Sequence, residues 1–517
     1  MTDTSQTQKK HFVSAGWPYL YDIPGLHNCV PMLFADVYAR FYRLNGDDVF
    51  FLCGADEHGA RTEYVANGYG TTPQELLDSK FIATVPLLEK LELSFDMFGR
   101  TGDPHHKQFV QEFIQDLASH DYLTEGFQKV AWCQNCTRHL PDRFLEGTCP
   151  YCASRTYGNQ CNNKKDCSRL VEADKVLDGR CAICAHPIEW KEEPHLFLKL
   201  EQFKSKVLNN SISPAKDIKE VFQRIDRTFA ENATVCLTRD TNWGITLPGL
   251  SSKTVYSWVD SLLAKVSMLK KKGPEYEARF WKDPETQHHF FLGMDGSPFY
   301  GALFPSLLLG SNRDYAIDHW NIFPNEVFIY EGGICSKSTG TGIWLEEALS
   351  TLPADFWRFY IFFVHASVET GAERDVDFRW DRFCSAVNQW VIQGFKEAVL
   401  APPGRSGEAE ETAVKALLEE SKIGEAFLLL LTSIVGTPSA EKTQRLAPLL
   451  SCFMPNSGEK LLRGEVPFDI SPLYAPQVQM DYQDLVDARR AKRGVMEEVI
   501  DARSDALCVC PINLKEQ

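Results

Sequence analysis

The hydrophobic pattern of the N-terminal part alternates between strand-like and helix-like segments. An apolar run over residues 11–19 precedes a segment whose apolar side chains recur near the helical period. A second run, residues 48–53, ends at Gly54, which is typical of a strand buried on both faces of a parallel sheet. A further helical segment covers residues 72–91. The apolar positions of the first predicted helix are Leu33, Val37, Phe41 and Leu44.

This order of strand, helix, strand and helix predicts a doubly wound α/β fold that binds a nucleotide. The alternation stops near Gly99 and resumes with strands over 288–293 and 325–333. From about residue 382 the pattern is helical, apart from a linker rich in Pro and Gly over 401–410. The predicted divisions are a disordered leader (1–10), two halves of the α/β domain (11–119 and 201–381), an insertion between them (120–200) and a helical C-terminal domain (382–517).

Net charge and cysteine content narrow the class of protein. The chain has 54 Lys and Arg residues against 70 Asp and Glu residues, a formal net charge of −16. This charge argues against RNA as an obligatory partner, because phosphate contacts need Lys and Arg. No apolar run is long enough to span a membrane, and the polar N-terminus lacks the apolar core of a signal peptide. With 16 cysteines and no secretion signal, the sequence predicts a cytoplasmic protein with reduced thiols and metal sites.

Half of the cysteines lie in one short region of the predicted insertion. Their paired spacing is typical of zinc-binding turns, because a Cys-x-x-Cys turn presents two thiolates on one side of a tight loop. Four thiolates leave no open coordination position, so the predicted role is structural, with one or two Zn²⁺ ions. The wider spacing of Cys161 and Cys167 leaves His186 as an alternative ligand, and the pairing of the turns stays open. The eight cysteines are Cys133, Cys136, Cys149, Cys152, Cys161, Cys167, Cys181 and Cys184.

Seven segments, with the cysteine turns between the two α/β halves, resemble the methionyl-tRNA synthetase family over about residues 10–465. The resemblance implies a class I Rossmann-like catalytic domain, a zinc-containing connective insertion and a helical anticodon-binding domain. Members of this family use ATP with Mg²⁺ to activate methionine as an adenylate and then transfer the aminoacyl group to tRNA. The seven segments are 18–28, 35–46, 51–59, 95–101, 140–152, 237–244 and 353–360.

The first class I signature departs from the family pattern. The family has H-L-G-N or H-I-G-H, whereas this chain has Gly25, Leu26, His27 and Asn28, so the Gly and the first imidazole have exchanged places. The resemblance implies that Gly25, His27 and Asn28 bind ATP and that His27 stabilises the charge that develops on the phosphates. The alternative is that His27 only fills surface beside the end of a strand.

The second signature, usually K-M-S-K-S, reads I-C-S-K-S here (334–338) and keeps one lysine. The resemblance implies catalytic roles for Ser336 and Lys337, since a lysine on a loop rich in Gly can neutralise the α-phosphate and the departing pyrophosphate. The alternative is a solvated surface lysine. Of the family's G-K-D-N element, this chain keeps Gly293 and Asp295, and the Asp is expected to reach the ATP ribose.

Several residues of the family's amino-acid pocket are replaced in this chain. Asp56 lies where the family's carboxylate binds the substrate ammonium. Lys265 replaces a pocket tyrosine, and since a thioether pocket should be apolar, it indicates either a substrate with a carboxylate or a lysine that points out of the pocket. Trp17 replaces a leucine, which favours a small amino acid, although neighbouring residues could rebuild a methionine site. The residues that the resemblance assigns to the pocket are Gly16, Trp17, Tyr19, Asp56, Trp258, Ser261, Lys265 and Tyr300.

The C-terminal part is shorter than the family's anticodon-binding domain. Residues 421–442 are followed almost directly by 445–462, which resemble the helix after the anticodon reader. The tryptophan with which the family stacks on the anticodon is therefore missing. Together with the acidic charge, this predicts loss of anticodon recognition, so tRNA is a disfavoured partner.

These departures predict a paralogue that activates a non-methionine amino acid and passes the acyl group to a small-molecule acceptor. A subgroup that resembles this plan, the hydrazine synthetases of natural-product biosynthesis, esterifies an amino acid onto an N-hydroxylated amine. A cupin then forms the N–N bond, and since this chain has no cupin-like metal motif, a separate cupin protein would be the partner. The alternatives are a divergent methionine–tRNA ligase and a catalytically inactive binding module.

Overall fold

The computed structural model describes residues 8–163, 167–209, 212–214, 219–335 and 341–489. Its centre is a six-stranded sheet in which each neighbouring pair of strands is parallel. The non-sequential strand order shows that the chain crosses over between strands, as in doubly wound folds. From edge to edge the strands are Ile212–Pro214, Trp320–Asn325, Gln287–Gly293, Lys10–Ala15, Asp48–Ala55 and Met97–Arg100.

The two predicted N-terminal strands lie in the middle of this sheet. Lys10–Ala15 is buried from its second residue onward, and Asp48–Ala55 is buried over its last six residues, so neither strand alternates between core and solvent. Continuous burial is expected where helices cover both faces of a parallel sheet. The helices of the α/β region are Leu26–Leu44, Ala60–Gly68, Pro73–Lys90, Pro104–Ser119, Lys204–Asn209, Lys219–Glu231, Ser257–Lys272, Pro274–Trp281 and Phe304–Gly310.

Local sequence explains where the predicted helix over 72–91 begins. Thr72 accepts a hydrogen bond from the backbone N–H of Glu75, and the Glu75 side chain accepts one in return from the N–H of Thr72. This capping box satisfies two otherwise unpaired backbone donors, and Pro73 occupies the first helical position, where no N–H is needed. The observed helix, Pro73–Lys90, follows directly.

The insertion forms its own antiparallel structure. A long hairpin pairs Leu123–Cys133 with Glu189–Leu198, and Arg138–His139 and Val235–Cys236 extend it on either side. The second sheet of the insertion contains Arg155–Tyr157, Leu145–Thr148 and Leu177–Cys181. The buried residues of this region form a hydrophobic cluster separate from the main core, with cysteines among its members.

Short elements connect the α/β core to the rest of the chain. Two small sheets contain Thr238–Arg239, Leu250–Val255 and Thr246–Leu247, and Gly333–Ile334, Phe328–Tyr330 and Val376–Phe378. The 3-10 turns are Asp142–Phe144, Ala173–Lys175, Leu200–Phe203 and Met294–Gly296, and the π-helical segments are Phe299–Leu303 and Val387–Gly394.

The C-terminal part is helical and shares one hydrophobic core with the α/β region. The predicted boundary at residue 382 falls inside the helix Trp380–Ala386, because the helical packing already begins with Ala354–Glu369 against Ile423–Val435. The division of the chain into domains otherwise stays a prediction. The helices are Leu345–Thr351, Ala354–Glu369, Trp380–Ala386, Phe395–Leu400, Glu408–Glu419, Ile423–Val435, Ala440–Phe453, Pro455–Leu462 and a last one over 475–489.

Among the residues that the structure describes, no helix is both long and apolar enough to cross a membrane.

Candidate active site and metal centres

The carboxyl ends of adjacent parallel strands meet at one edge of the central sheet, the position at which open α/β folds bind ligands. Trp17 follows the strand Lys10–Ala15, and Asp56 follows the neighbouring strand, Asp48–Ala55. A cleft of about 860 Å³ opens at this edge and is bounded on its other side by the insertion. Residues from its walls include Tyr19, His58, Arg61, Arg143, Tyr157 and Cys335.

Asp56 is held by its backbone, and one oxygen of its carboxylate is left without a partner among the described residues. Its N–H donates to the carbonyl of Pro18 at 3.0 Å, and its carbonyl accepts from the N–H of Leu20 at 3.2 Å. The side chain is 4% exposed, and Oδ1 has no hydrogen-bond partner among the described residues. Burial and the nearby Asp260 raise the pKa of Asp56 well above its usual value. A substrate ammonium at this carboxylate would offset that penalty.

Lys265 is fully buried beside Asp56 instead of pointing to solvent. Its Nζ donates to the carbonyl of Ser261 at 2.9 Å and lies 4.7 Å from the ring centroid of Trp17 and 5.2 Å from that of Tyr300. It forms no ion pair with any carboxylate in the described part of the chain, and burial lowers its pKa to about 7. The pocket therefore holds a carboxylate and an ammonium, each short of a counter-charge.

Two glycines provide the space that the Trp17 indole fills. A Cβ atom added to Gly54 would lie 2.6 Å from the indole, and one added to Gly99 would lie 3.0 Å from it. Trp17 is 7% exposed, and its Nε1 has no hydrogen-bond partner among the described residues. The indole thus fills the space beside these two glycines, and its effect on the size of an amino-acid pocket stays a prediction.

The other residues assigned to the pocket lie around this centre. Tyr19 forms a parallel bridge with Asp56, and burial together with that carboxylate raises the pKa of Tyr19. Trp258 stacks on Phe299 with 3.8 Å between ring centroids. Gly16 donates its N–H to the carbonyl of Phe291 and so continues the pairing of the central strands.

A buried polar network beneath the pocket was not identified from sequence. The carboxylate of Asp260 contacts Nδ1 of His58 and Nε2 of His106, each at 2.6 Å, and Nδ1 of His106 contacts Oγ of Ser267 at 2.7 Å. Although burial alone would raise the pKa of Asp260, the two imidazoles hold it at about 2. The network fixes the helix that carries Lys265, and the nearness of His58 to Asp56 in the sequence was the signal that could have revealed it.

The first signature lies at the start of the helix Leu26–Leu44. The Oδ1 atom of Asn28 accepts a hydrogen bond from the N–H of Gly25 at 3.1 Å, so Asn28 caps its own helix. The imidazole of His27 folds against Gly25, where an added Cβ would lie 2.6 Å from it. His27 also makes an edge contact with Trp344, with 6.3 Å between ring centroids.

The described residues on either side of 336–340 lie next to the first signature. The N–H of Leu26 donates to the carbonyl of Ile343 at 2.7 Å, and Gly25 forms a bridge with Trp344. A Cβ at Gly342 would lie 3.4 Å from Sγ of Cys335, so these two residues lie close together. The predicted catalytic residues Ser336 and Lys337 lie outside the described residues.

The G-K-D-N counterpart follows the strand Gln287–Gly293. The side chain of Asp295 folds back over Gly293, where an added Cβ would lie 2.6 Å from its Oδ1. The carbonyl of Asp295 accepts a hydrogen bond from Nε2 of Gln160 at 2.7 Å, which ties this turn to the insertion.

The eight cysteines of the insertion form two separate groups of four. In each group the four sulfur atoms lie within 4.8 Å of one another. The sequence left this pairing open, and the structure joins the first turn to the last and the two middle pairs to each other. His186 belongs to neither group, because its Nδ1 faces the carbonyl of Cys184 at 3.0 Å. The groups are Cys133, Cys136, Cys181 and Cys184, and Cys149, Cys152, Cys161 and Cys167.

The sulfur distances fit tetrahedral zinc. With Zn–S bonds of about 2.3 Å, neighbouring sulfurs of a regular tetrahedron lie about 3.8 Å apart. Here the sulfurs of Cys133 and Cys184 are 3.5 Å apart and those of Cys136 and Cys181 are 3.8 Å apart. The residues present could therefore hold two Zn²⁺ ions, each with four thiolates and no open position, so the ions would stabilise the fold and take no part in the reaction.

Comparison with known proteins decides the family. Residues 11–399 match the family model described as tRNA synthetases class I (M). The chain belongs to this family. It is 36% identical to the methionine–tRNA ligase of Korarchaeum cryptofilum over 386 residues, which cover 73% of this chain and 67% of the relative. It is 32% identical to the corresponding ligase of Pyrobaculum calidifontis, covering 80% and 76% of the two chains.

Structural comparison adds support for the fold of this class I synthetase. The chain superposes on the Mycobacterium tuberculosis methionyl-tRNA synthetase bound by methionyl-adenylate with a TM-score of 0.67 and 17% sequence identity. The match covers 88% of this chain and 94% of that one. The predicted family, the α/β fold with its cysteine-rich insertion, and the class of enzyme, a ligase that forms aminoacyl-adenylates, are confirmed.

Proposed function

We propose that this class I synthetase activates an amino acid with a short acidic side chain, aspartate or glutamate, and passes the acyl group to a small-molecule acceptor. The observation that carries the proposal is Lys265, which is 0% exposed in the pocket beside Asp56. Burying methionine's thioether against this ammonium would leave the charge unpaired, at a cost of several kcal/mol. A side-chain carboxylate would instead form a charge-assisted hydrogen bond with it.

The spacing of charges supports an α-amino acid with a second carboxylate. Asp56 and Lys265 do not pair with each other, although each acts electrostatically on the other. The α-ammonium of the substrate would lie on Asp56 and its side-chain carboxylate on Lys265, which leaves the α-carboxylate free to react. Trp17 limits the side chain to a short one, because its indole fills the space above Gly54 and Gly99.

The remaining assigned residues serve the ATP side of the reaction. An oxygen of the substrate α-carboxylate attacks the α-phosphorus of ATP, and the bond to the β-phosphate oxygen breaks to release pyrophosphate with Mg²⁺. Lys337 and Ser336 would act on the charge of the leaving pyrophosphate, and His27 and Asn28, at the helix start, would act on the ATP phosphates. Gly25, Gly293 and Asp295 would bind adenosine, while Tyr19, Trp258, Ser261 and Gly16 shape the amino-acid pocket.

In the second step we propose an N-hydroxylated amine as acceptor. Its hydroxyl oxygen attacks the adenylate carbonyl, AMP leaves with the electron pair of the broken C–O bond, and the hydroxyl proton passes to solvent. The net charge of −16 supports a small acceptor over tRNA. A separate cupin protein would then convert the ester into a product with an N–N bond.

Methionine–tRNA ligation is the second candidate function. Two of the proteins compared above carry that name, and the chain is 36% and 32% identical to them. This candidate requires that methionine supports ATP–pyrophosphate exchange and that tRNA with a CAU anticodon is charged. A catalytically inactive module would show no exchange with any amino acid.

One experiment separates these candidates. ATP–pyrophosphate exchange is measured with the zinc-loaded protein and each of the proteinogenic amino acids in turn, and then with hydroxylamine acceptors or CAU tRNA. We expect exchange with aspartate or glutamate and ester formation with the hydroxylamine. Exchange confined to methionine, followed by charging of tRNA, would contradict the proposal.

A further inference from the structure

The cleft is lined by two arginines, one from the α/β region and one from the insertion, that form no ion pair among the described residues. Arg61 lies in the helix Ala60–Gly68, Arg143 lies in the 3-10 turn Asp142–Phe144, and both line the cleft above the amino-acid pocket. Neither forms an ion pair with a carboxylate among the residues that the structure describes. Two cations in one cleft without counter-ions favour an anionic ligand.

Three acidic residues near these arginines already pair with other side chains. Asp142 accepts from Nε of Arg239 at 2.8 Å, and Glu146 pairs with both Arg155 and Arg180. Glu63, on the same helix as Arg61, accepts from Nδ2 of Asn242 at 3.0 Å and lies 3.6 Å from Arg138. These three carboxylates therefore do not neutralise Arg61 or Arg143.

Aromatic rings hold both guanidinium groups in place. Arg61 lies 5.4 Å from the ring centroid of Tyr64 and 5.9 Å from that of Tyr21, and Arg143 lies 5.3 Å from that of Tyr157. A guanidinium within this cation–π range of a ring still has N–H groups available for two parallel hydrogen bonds to a carboxylate.

The two arginines lie on adjacent, packed elements close to the reacting groups. Tyr64 makes an edge contact with Phe144, with 5.9 Å between ring centroids, and Phe144 directly follows Arg143. The charge of Arg143 also acts on the hydroxyl of Tyr19, which is bridged to Asp56. A ligand that reaches both arginines would therefore extend toward the carbonyl of the adenylate.

We infer that Arg61 and Arg143 form a subsite for a carboxylate carried by the acyl acceptor. The acceptor would bind through its carboxylate to these two arginines, with its nucleophilic end near Tyr19. A single small anion fits better than an RNA backbone, because Glu326 also lines the cleft, so its charge is not uniformly positive as a run of phosphates requires. The role as an acceptor site rests on the proposed function, whereas the binding of a carboxylate does not.

Paired probes test the subsite directly. The probes are hydroxyamino acids of increasing length, from N-hydroxyglycine to the hydroxyamino hexanoate, and the methyl ester of each. Calorimetric titration of the full-length, zinc-loaded protein compares the affinity for each acid with that for its ester. We expect at least one acid to bind about tenfold or more tightly than its ester, since an arginine–carboxylate contact contributes that much. Arg61→Gln and Arg143→Gln should each remove this preference.

Arg155→Gln is the matched control, because Arg155 is exposed in the same cleft but already paired with Glu146. It should keep the preference for the acid. Equal binding of acid and ester across the whole series, or an equal loss in Arg155→Gln, would overturn the inference. The inference would also be overturned if the Arg61 and Arg143 variants bound the probes unchanged. In that case, weaker binding of a CCA-ended RNA minihelix or a raised KM for ATP would assign the two arginines to RNA or to ATP. Absence of exchange with acidic amino acids would reject the proposed function and leave the binding result standing.

Discussion

The ammonium of Lys265 lies between the rings of Trp17 and Tyr300 with a single hydrogen bond, to the carbonyl of Ser261. If this ammonium binds the substrate carboxylate, Lys265→Met should lower kcat/KM for acidic amino acids in pyrophosphate exchange about ten- to hundredfold. This range corresponds to the loss of one charge-assisted hydrogen bond. Lys271→Met, at an exposed position of the same helix, should have no such effect. A variant that keeps its rate with aspartate and glutamate would show that Lys265 does not contact the side chain.

The same residue predicts a pH dependence. Burial lowers the pKa of Lys265 to about 7, so above this pH the free enzyme loses the positive charge that attracts the substrate. The value of kcat/KM should therefore fall as pH rises from about 7 to 9. On the acid side it should fall when Asp56 is protonated, because burial raises the pKa of that carboxyl. Rate profiles of wild type and Lys265→Met test this, and an alkaline limb that persists in the variant would assign it to another group.

At single residues, sequence and structure contribute differently. The positions of Asp56 and Lys265 could be assigned from family motifs, but the lysine's orientation could not, since a side chain of that length can either point into a pocket or reach solvent. The structure shows it fully buried. Only His58, two residues after Asp56, could be singled out from the sequence; the network that it forms with Asp260 and His106 could not, because its members come from three separate segments that only the fold brings together.

At the scale of elements, spacing identified the cysteine turns, but their pairing depends on the hairpin between Leu123–Cys133 and Glu189–Leu198. That hairpin places the first turn beside the last.

With two four-sulfur groups, we expect two Zn²⁺ per chain by elemental analysis, and one in Cys149→Ser. The variant should also unfold at lower temperature, because metal binding is linked to folding. Cys335→Ser, outside both groups, should retain two ions; retention of two in Cys149→Ser would disprove the assignment.

The last described helix, 475–489, contacts the segment that follows the second signature. The hydroxyl of Tyr482 donates to the carbonyl of Gly342 at 3.1 Å and accepts from the N–H of Trp344 at 2.8 Å. Arg489 forms an ion pair with Glu347 at 2.8 Å in the same region. The sequence offered no role for this part of the chain, because a helix pattern does not show what it packs against.

We expect Tyr482 to act as a positioning residue for the segment that follows the second signature, whose Ser336 and Lys337 are proposed to act on ATP. Tyr482→Phe leaves the buried N–H of Trp344 without a partner, which costs about 1–3 kcal/mol locally. We expect kcat for pyrophosphate exchange to fall several-fold with little change in KM for the amino acid. Tyr474→Phe, in the same region but 69% exposed, is the control. A pure rise in KM, or equal effects of the two variants, would argue against positioning.

At the scale of the whole molecule, one buried ion pair joins the α/β region to the C-terminal helices. Arg358 and Asp36 are both 0% exposed, and Nη2 of Arg358 lies 2.7 Å from Oδ2 of Asp36. The same guanidinium donates to the carbonyls of Phe453 and Cys452, so it also holds the helix Ala440–Phe453. Although burial alone would raise the pKa of Asp36, the guanidiniums of Arg358 and Arg40 hold it below its usual value.

Removing one partner of this pair should destabilise the entire chain rather than one part of it. Arg358→Met leaves the buried carboxylate of Asp36 with Arg40 as its remaining ion-pair partner, at 2.9 Å, and should lower the free energy of unfolding by about 3 kcal/mol, the lower end expected for breaking a buried pair. Far-UV circular dichroism and tryptophan fluorescence should show coincident denaturant transitions at a lower midpoint, since both regions share one core. Arg445→Met, which removes an exposed ion pair with Glu411, should change stability by less than about 1 kcal/mol.

The pH dependence of stability gives an independent check on the same pair. The depressed pKa of Asp36 contributes stability that is present above the carboxyl's unfolded pKa and is lost as pH falls toward the folded value. Wild type should therefore lose stability steadily below about pH 4. The double variant Asp36→Asn with Arg358→Met should lack this contribution and should be more stable than Arg358→Met alone, because it buries no carboxylate that has lost the Arg358 guanidinium. If the double variant is instead less stable than Arg358→Met, the two regions are held together mainly by apolar packing.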